Sequence, residues 1–105
     1  MNFVKFDHKY LGYNDELDHK EYCCDIYGYL KDHYKCIGHC KYYSSGHEDH
    51  IVYIEFINIS YNYRRRGYGT AMVKELLKQY ELHWDYKFTK EGRLWYESLL
   101  NRNIV

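Results

Sequence analysis

Residues 51–82, IVYIEFINISYNYRRRGYGTAMVKELLKQYEL, are the part of the sequence that decides the fold. The apolar run from Ile51 to Ser60 is typical of a β-strand, and Thr70 to Leu82 has the apolar spacing of an amphipathic helix. Between them lie three arginines and the sequence Gly67-Tyr68-Gly69. The first backbone N–H groups of a helix lack intrahelical partners, and the helix dipole favours an anion beside them. This strand–turn–helix unit therefore predicts a site for a phosphorylated ligand.

Two common phosphate-binding loops do not fit this turn. The chain has no Gly-x-x-x-x-Gly-Lys-Ser/Thr run, and Met72 stands where a dinucleotide fingerprint needs its third glycine. Arg64-Arg65-Arg66-Gly67-Tyr68-Gly69 instead resembles the acetyl-CoA loop of the GNAT family of N-acetyltransferases, whose motif is Arg/Gln-x-x-Gly-x-Gly/Ala. Ile59 lies eight positions before the first glycine, as the last branched strand residue does in that family, and Thr70 to Leu77 resembles the helix that follows. An ordinary basic turn between a strand and a helix is the alternative interpretation.

The resemblance implies a set of residues that hold the cosubstrate, acetyl-CoA. The pyrophosphate would contact the loop and the start of the helix, namely Arg64, Arg65, Arg66, Gly67, Tyr68, Gly69 and Thr70. By its place two residues before Ile59, Ile57 matches the backbone N–H donor that stabilises the oxyanion of the thioester. The carbonyl groups of Ile57 and Ile59 would align the pantetheine arm as if it were another strand.

A second resemblance lies near the C-terminus. The family often shows Asn-x-x-Ala-x-x-x-Tyr, and Thr89, Gly92 and Tyr96 stand at the same spacing. The resemblance implies that the Tyr96 phenol protonates the leaving thiolate; the alternative is that it only packs beside Leu99 and Leu100. Thr89 either contacts the pantetheine arm or caps the last helix, and the cap is favoured.

Glu55 is the candidate general base. It lies two residues before Ile57, so regular alternation would place both on one strand face. Relatives that use a strand glutamate have it two residues earlier, where this chain has Tyr53. Glu55 is therefore a candidate because of its carboxylate and its expected strand face, although its position does not match that of the glutamate in those relatives. A solvated carboxylate is the alternative role for Glu55, and a water or the turn over residues 47–50 could act as base instead.

The remaining segments predict the fold class. Strands are predicted over Asn2–Phe6, Tyr22–Leu30, Tyr34–Tyr43, His50–Ile59 as the central strand, and His83–Phe88. A loop or a helical turn is predicted over Asn14–Lys20, a hairpin turn over Lys31–His33, and a turn over Ser44–Asp49. A last helix begins after Thr89. We therefore expect one domain over residues 1–105, an α+β fold with a mixed, mostly antiparallel sheet and two C-terminal helices, similar to a shortened GNAT fold.

The shortness of the chain bears on the acceptor. Full-length family members usually have about two helices between their first two strands and a closing hairpin after the last helix, and these parts build the acceptor pocket. The resemblance then implies either an open site for an amine on a protein or peptide, or a homodimer in which a second subunit completes the pocket. Residues 1–50 carry 6 lysines, no arginine and 9 acidic residues, a net charge of −3 that could attract an amine.

Composition excludes several other classes of protein. The net charge of zero argues against a nucleic-acid partner. No apolar run approaches the roughly 20 residues that span a bilayer, and the first residues lack a signal-peptide apolar region. We expect no membrane partner and a cytoplasmic protein, in the host cytoplasm if its resemblance in style to compact viral and phage acetyltransferases reflects its origin.

The cysteines raise the question of a metal site. Cys23, Cys24, Cys36, His39 and Cys40 are zinc-ligating residue types, but Cys36 and Cys40 share one face of a predicted strand without a tight knuckle to wrap a metal. We therefore predict no metal ligands. The expected function is acetyl-CoA-dependent N-acetyl transfer to an amine; the alternative is a non-catalytic acyl-CoA-binding or protein-interaction module of the same fold.

Overall fold

A five-stranded sheet with two helices forms the fold. The computed structural model describes residues 4–85 and 89–105. Its elements are β1 (Val4–Asn14), β2 (His19–Leu30), β3 (His33–Ser45), β4 (Ile51–Ile59), a short 3-10 helix (Tyr61–Tyr63), α1 (Tyr68–Leu77), β5 (Glu81–Trp84) and α2 (Lys90–Asn101). The strand order is β1-β2-β3-β4-β5, antiparallel except for the parallel pair β4–β5. The predicted α+β class, with a mixed, mostly antiparallel sheet and two C-terminal helices, is confirmed.

The first strand is much longer than predicted. β1 runs to Asn14 rather than ending at Phe6. Gly12 has φ +123° at a point where the register against β2 shifts, and this irregularity breaks the alternation that would have marked one strand. The predicted loop over Asn14–Lys20 is wrong at both ends, because Asn14 ends β1 and β2 already begins at His19. The Asn14 side chain accepts hydrogen bonds from the backbone N–H groups of Glu16 and Leu17 and so closes a tight turn.

That turn joins β1 to β2 directly. Only the four residues from 15 to 18 separate the two strands. The next connection is as short, because Lys31 and Asp32 both adopt left-handed backbone conformations, φ 46° and 70°, as a two-residue hairpin turn requires. The predicted turn at Lys31 is confirmed, although His33 already belongs to β3.

One face of the sheet carries the core. Val52 and Ile54 of β4 pack with Met72 and Leu76 of α1, and all four are fully buried. The same cluster includes residues of the two preceding strands, namely Cys24, Ile26, Ile37, Cys40 and Tyr42. The helix predicted over Thr70–Leu82 exists but is displaced, since α1 covers Tyr68–Leu77.

Two further boundaries differ from the prediction. β5 covers Glu81–Trp84 rather than His83–Phe88, of which residues 86–88 lie outside the described ranges. β4 is not the central strand: β3 lies in the middle of the sheet, and β4 separates it from β5. β4 therefore forms, with β5, the only parallel pair of the described sheet.

The opposite face of the sheet is polar and partly exposed. Lys41 of β3 points there, because its neighbours Cys40 and Tyr42 are buried in the core. Ion pairs join Lys41 to Glu21 and Glu55, and His39 to Asp25, across this face. Neither described helix packs there: α1 packs on the core, and α2 meets Trp84, which packs against the same core. We call this surface the open face.

Candidate functional site

The described pairing between the two parallel strands covers the first part of β4. They pair only from Ile51 with Glu81 to Ile54 with Trp84, and the N–H of Asp85 donates to the carbonyl of Ile54 at 2.9 Å. β4 continues for five more residues to Ile59. Within residues 4–85 and 89–105, no strand pairs with that stretch on the β5 side. We call this side of the second half of β4, which is unpaired among the described residues, the opening.

The backbone of β4 points into this opening at the two residues named from sequence. The N–H of Ser60 donates to the carbonyl of Ile37 at 2.8 Å, which makes Gly38 and Ile59 a pair without mutual hydrogen bonds. Bonded and non-bonded pairs alternate along antiparallel strands. The N–H and C=O groups of Ile59, and of Ile57 two residues earlier, therefore point away from β3 and toward the opening. This is the orientation that an extended ligand arm would need.

A β-bulge separates Glu55 from Ile57. Tyr42 of β3 pairs with Ile54 and Lys41 pairs with Phe56, so Glu55 has no partner residue in β3. The extra residue shifts the alternation, and Ile54 and Ile57 both pack on the core although they are three apart. The expectation that Glu55 and Ile57 share one face is wrong for this reason.

Glu55 instead lies on the open face, held by a lysine. Its Oε2 is 3.4 Å from the Nζ of Lys41, which lies 3.6 Å from Glu21 on the other side. Burial lowers the pKa of Lys41, but the charges of Glu55 and Glu21 and the hydrogen bonds to them outweigh this, so the pKa is raised. Lys41 therefore stays charged and positions the Glu55 carboxylate beside the bulge. The Glu55 side chain keeps 30 % of its surface exposed and remains accessible to an amine.

The helix that follows β4 begins without a side-chain cap. Its N-cap residue is Gly67, with φ +85°, a conformation that only glycine adopts without strain. The first intrahelical bond runs from the N–H of Ala71 to the carbonyl of Gly67 at 2.9 Å. The N–H groups of Tyr68, Gly69 and Thr70 precede it and have no acceptor within the helix. They provide the donors that an anion needs.

The three loop arginines have different surroundings. Arg64 donates from Nε to the carbonyl of Ile59 at 2.8 Å and from Nη2 to the side chain of Asn58 at 3.3 Å. Arg65 is exposed, with Nε 3.6 Å from Glu91 of α2. The guanidinium carbon of Arg66 lies 5.8 Å from the centre of the Tyr63 ring. Arg64 thus ties the loop to the end of β4 and already donates to one of the carbonyls assigned to the pantetheine arm.

The second helix closes over the first turn of α1. The Thr89 hydroxyl accepts from the N–H of Gly92 at 3.0 Å, which confirms the predicted cap. Trp95 donates from Nε1 to the hydroxyl of Thr70 at 3.2 Å, and a Cβ added at Gly69 would lie 3.3 Å from its ring. The sequence did not indicate this contact of Trp95 with the start of α1. Its neighbour Tyr96 was singled out for its spacing, and no comparable local pattern marked Trp95.

Tyr96 packs against the last residue of β5. Its ring packs edge-on against Trp84, with 5.2 Å between ring centres, and Trp84 is the last residue of β5. Tyr96 therefore lies beside the end of β5 on the core side of the sheet, and Glu55 lies at the bulge of β4 on the open face. The candidate acid and the candidate base approach the opening from opposite faces.

The sequence did not predict a second ion pair on the open face, between His39 and Asp25. The Nδ1 of His39 lies 2.5 Å from the Oδ1 of Asp25, and the ring of His39 packs near that of Phe56 at 5.6 Å. The two residues are paired across β2 and β3 but stand 14 apart in the chain. Only the pairing register brings them together, so no local sequence signal marks them.

Cys23, Cys24 and Cys40 are buried, whereas Cys36 is exposed. In the described ranges no group of three or more His, Cys, Asp and Glu side chains has the geometry of a metal site. Burial raises the pKa of the Cys24 thiol to about 12 and also raises that of Cys40, so both stay protonated. A protonated thiol is a poor metal ligand. Among the described helices, none is long and apolar enough to cross a bilayer.

One family of known proteins matches most of the chain. The family model described as "Acetyltransferase (GNAT) family" matches residues 2–93. This range covers the sheet, α1 and the start of α2, and it ends before Tyr96. A search of curated proteins gives no match. Because the family model covers most of the 105 residues, including the opening beside β4 and the uncapped start of α1, the chain belongs to the GNAT family of acetyltransferases and is an acyltransferase.

Proposed function

We propose that this protein transfers the acetyl group of acetyl-CoA to an amine on a protein or peptide. The observation that carries the proposal is the opening beside β4, with the backbone groups of Ile57 and Ile59 turned toward it. The uncapped start of α1 follows the same end of β4 through a short connection. An extended thioester with a phosphate at one end matches that combination of strand edge and anion site.

The cosubstrate is assigned to three parts of the site. The N–H groups of Tyr68, Gly69 and Thr70 receive the pyrophosphate, with Arg65 and Arg66 supplying positive charge. The pantetheine arm adds to β4 as an extra strand along Ile57 and Ile59. Thr89 serves as the helix cap, so its contribution to this part of the site is to fix where α2 begins.

The reaction then requires three events at the opening. The neutral amine attacks the carbonyl carbon of the thioester, and negative charge develops on its oxygen, which the Ile57 N–H stabilises. The carbon–sulfur bond breaks as the carbon–nitrogen bond becomes an amide. Glu55 takes the amine proton, directly or through one water, and the Tyr96 hydroxyl donates a proton to the leaving thiolate. The two proton transfers occur from opposite faces of the sheet, with the base acting on the amine and the acid on the leaving thiolate.

The Glu55→Gln variant tests the base. Glutamine preserves the shape and removes the charge, so we expect the acetylation rate to fall by about tenfold, less than a typical general base because water can still accept the proton. The loss is expected to be greatest at mildly acidic pH, where the acceptor amine is mostly protonated. Thiol release measured between pH 6 and pH 9 checks this.

Glu21→Gln is the matched control for that variant. It also removes one carboxylate partner of Lys41, but it lies on β2, two strands away from β4. Its rate profile should follow that of the parent. Equal losses of acetylation rate in the two variants would show that Glu55 is not the base. They would mean instead that Lys41 needs both carboxylate partners for folding or for charge balance.

The open face supports the choice of a macromolecular acceptor. Four carboxylates lie on it or beside it, and they can attract the ammonium group of a lysine or a chain terminus; they are Glu21 and Asp25 of β2, Glu55 of β4, and Asp85, which follows β5. No described helix covers that face to enclose a small molecule. A partner protein could supply the missing wall itself.

A panel of amines tests the acceptor class. Lysine peptides, free polyamines and aminoglycosides would be compared by thiol release at equal concentration. We expect faster transfer to a lysine peptide than to any free small amine, because the exposed surface can contact residues that flank the lysine. Rapid acetylation of a small amine with none on peptides would contradict this and would point to a pocket completed by a second subunit.

The alternative of a non-catalytic module rests on two observations. Tyr96 lies beyond the range matched by the family model, and Arg64 already donates to the Ile59 carbonyl. A module would bind acetyl-CoA without releasing thiol for any amine of the panel. Calorimetry and thiol release on the same preparation separate the two functions.

A further inference from the structure

A basic groove lies where the β2–β3 hairpin meets the chain that follows β4. It has a volume of about 450 Å³, and its walls include four basic side chains, Lys31, His33, Lys35 and Arg66, together with Asn62 and Tyr63. No acidic side chain lines it. The size falls in the range of small-ligand sites, roughly 300–1,000 Å³.

The positive charges of this groove are not neutralised by the protein. Lys35 and Arg66 lie over the same Tyr63 ring, at 5.9 and 5.8 Å from its centre. In the described part of the chain, no carboxylate lies within 4.0 Å of Lys31, Lys35 or Arg66. Other lysines do have carboxylate partners, namely Lys9, Lys20, Lys41 and Lys78. Cations held together without a counter-ion in a cavity favour an anionic ligand.

The groove is adjacent to the phosphate loop. Arg66 lines the groove and immediately precedes Gly67, the N-cap of α1. The left-handed residues Lys31 and Asp32 turn the hairpin tightly, which brings the start of β3 to the same end of the sheet as the end of β4. A ligand with one phosphate at the start of α1 can therefore reach the groove with a second phosphate group.

The chemistry of the groove favours a phosphate monoester. Such a group carries a charge of about −1.5 to −2 at pH 7 and three strong acceptor oxygens. A diester or a carboxylate carries a single charge and matches several cations less well. Arginine also offers paired donors to phosphate, which lysine complements as a point charge.

We infer that this groove binds the 3′-phosphate of acetyl-CoA, with Lys35 and Arg66 as its main ligands. The inference rests on the proposed function, because acetyl-CoA carries this monoester in addition to the pyrophosphate assigned to the start of α1. The shared residue Arg66 favours the cosubstrate over a separate phosphorylated partner, since a single molecule satisfies both anion sites. Lys31 and His33 on the hairpin form the far wall.

The test compares acetyl-CoA with acetyl-dephospho-CoA, which lacks only the 3′-phosphate. Titration calorimetry on the parent should show about tenfold weaker binding of the dephospho ligand, as expected for the loss of charge-assisted hydrogen bonds. Lys35→Gln should weaken the binding of acetyl-CoA by a similar factor and leave the binding of acetyl-dephospho-CoA unchanged. Lys74→Gln, which removes the charge of an exposed lysine on α1, should preserve the parent's preference.

Each contrary result has a distinct meaning. Tight and equal binding of both ligands to the parent would overturn the inference and leave the proposed function intact, whereas binding of neither would overturn the proposed function. A preference that survives in both Lys35→Gln and Arg66→Gln would place the 3′-phosphate elsewhere. In a further contrary outcome, a phosphoserine peptide binds the parent protein at saturating acetyl-CoA and fails to bind Lys35→Gln. That result would assign the groove to a phosphorylated protein.

Discussion

Replacing Gly67 with aspartate is expected to weaken acetyl-CoA binding by more than about 2 kcal/mol, roughly thirtyfold in affinity. Gly67 is the uncapped N-cap of α1, and a Cβ added there meets no atom within 4 Å. An aspartate side chain would occupy the anion site and accept from the same N–H groups that are assigned to the pyrophosphate. Its negative charge would also repel the ligand.

Gly67→Asn is the control that isolates the charge. Asparagine and aspartate have the same shape, and both tolerate the left-handed backbone better than other residues. We expect Gly67→Asn to lose less affinity than Gly67→Asp, with similar thermal stability in the two variants. A folded Gly67→Asp protein with parental affinity by calorimetry would exclude the start of α1 as the pyrophosphate site. Gly69 is less suitable, because a Cβ there would lie 3.3 Å from the Trp95 ring, so a substitution would disturb the packing of α2 as well as the anion site.

The features predicted correctly from sequence are those with local causes. The glycine at the start of α1, the cap by Thr89 and the tight turn at Lys31 each depend on backbone conformations or hydrogen bonds within a few residues. Such signals are visible in a short window of sequence. The family motif lies in the same kind of window, which is why the strand, loop and helix were found together.

The features that escaped prediction depend on pairing between strands. The bulge at Glu55 is defined only against β3, and it decides which face carries the carboxylate. The length of β1 is defined against β2, across the irregularity at Gly12. The pair of His39 with Asp25 exists only in that register. A single residue of slip reverses every side chain of a strand, so alternation read from sequence fails wherever a bulge intervenes.

The arginine cluster shows the same limit within the site itself. Three consecutive arginines were assigned together to phosphate, because each has the right chemistry. In the structure Arg64 donates to the strand end, Arg65 meets Glu91 and Arg66 borders the basic groove. Arg65 has φ 61°, and this left-handed residue sends its two neighbours in different directions. The three arginines make different contacts because of the backbone conformation of the loop, which a run of three identical residues does not indicate.

Replacing Tyr96 with phenylalanine is expected to lower turnover by about a hundredfold or more, the usual contribution of a general acid. Phenylalanine keeps the ring that packs edge-on against Trp84 at 5.2 Å and removes only the hydroxyl. The affinity for acetyl-CoA should change little, because the assigned binding groups lie on β4 and at the start of α1. Stopped-flow thiol release gives kcat, and calorimetry on the same variant gives the affinity.

Tyr10→Phe is the matched control for Tyr96→Phe. It removes a hydroxyl from an exposed tyrosine on β1, at the opposite edge of the sheet from β5, and it should turn over at the parental rate. A parental rate in Tyr96→Phe as well would mean that the phenol only packs against Trp84 and that water protonates the thiolate. A large loss of kcat in Tyr96→Phe alone, at constant acetyl-CoA affinity, would require a hydroxyl that acts in the chemical step. A non-catalytic module has no such step, so this result would also exclude the alternative function.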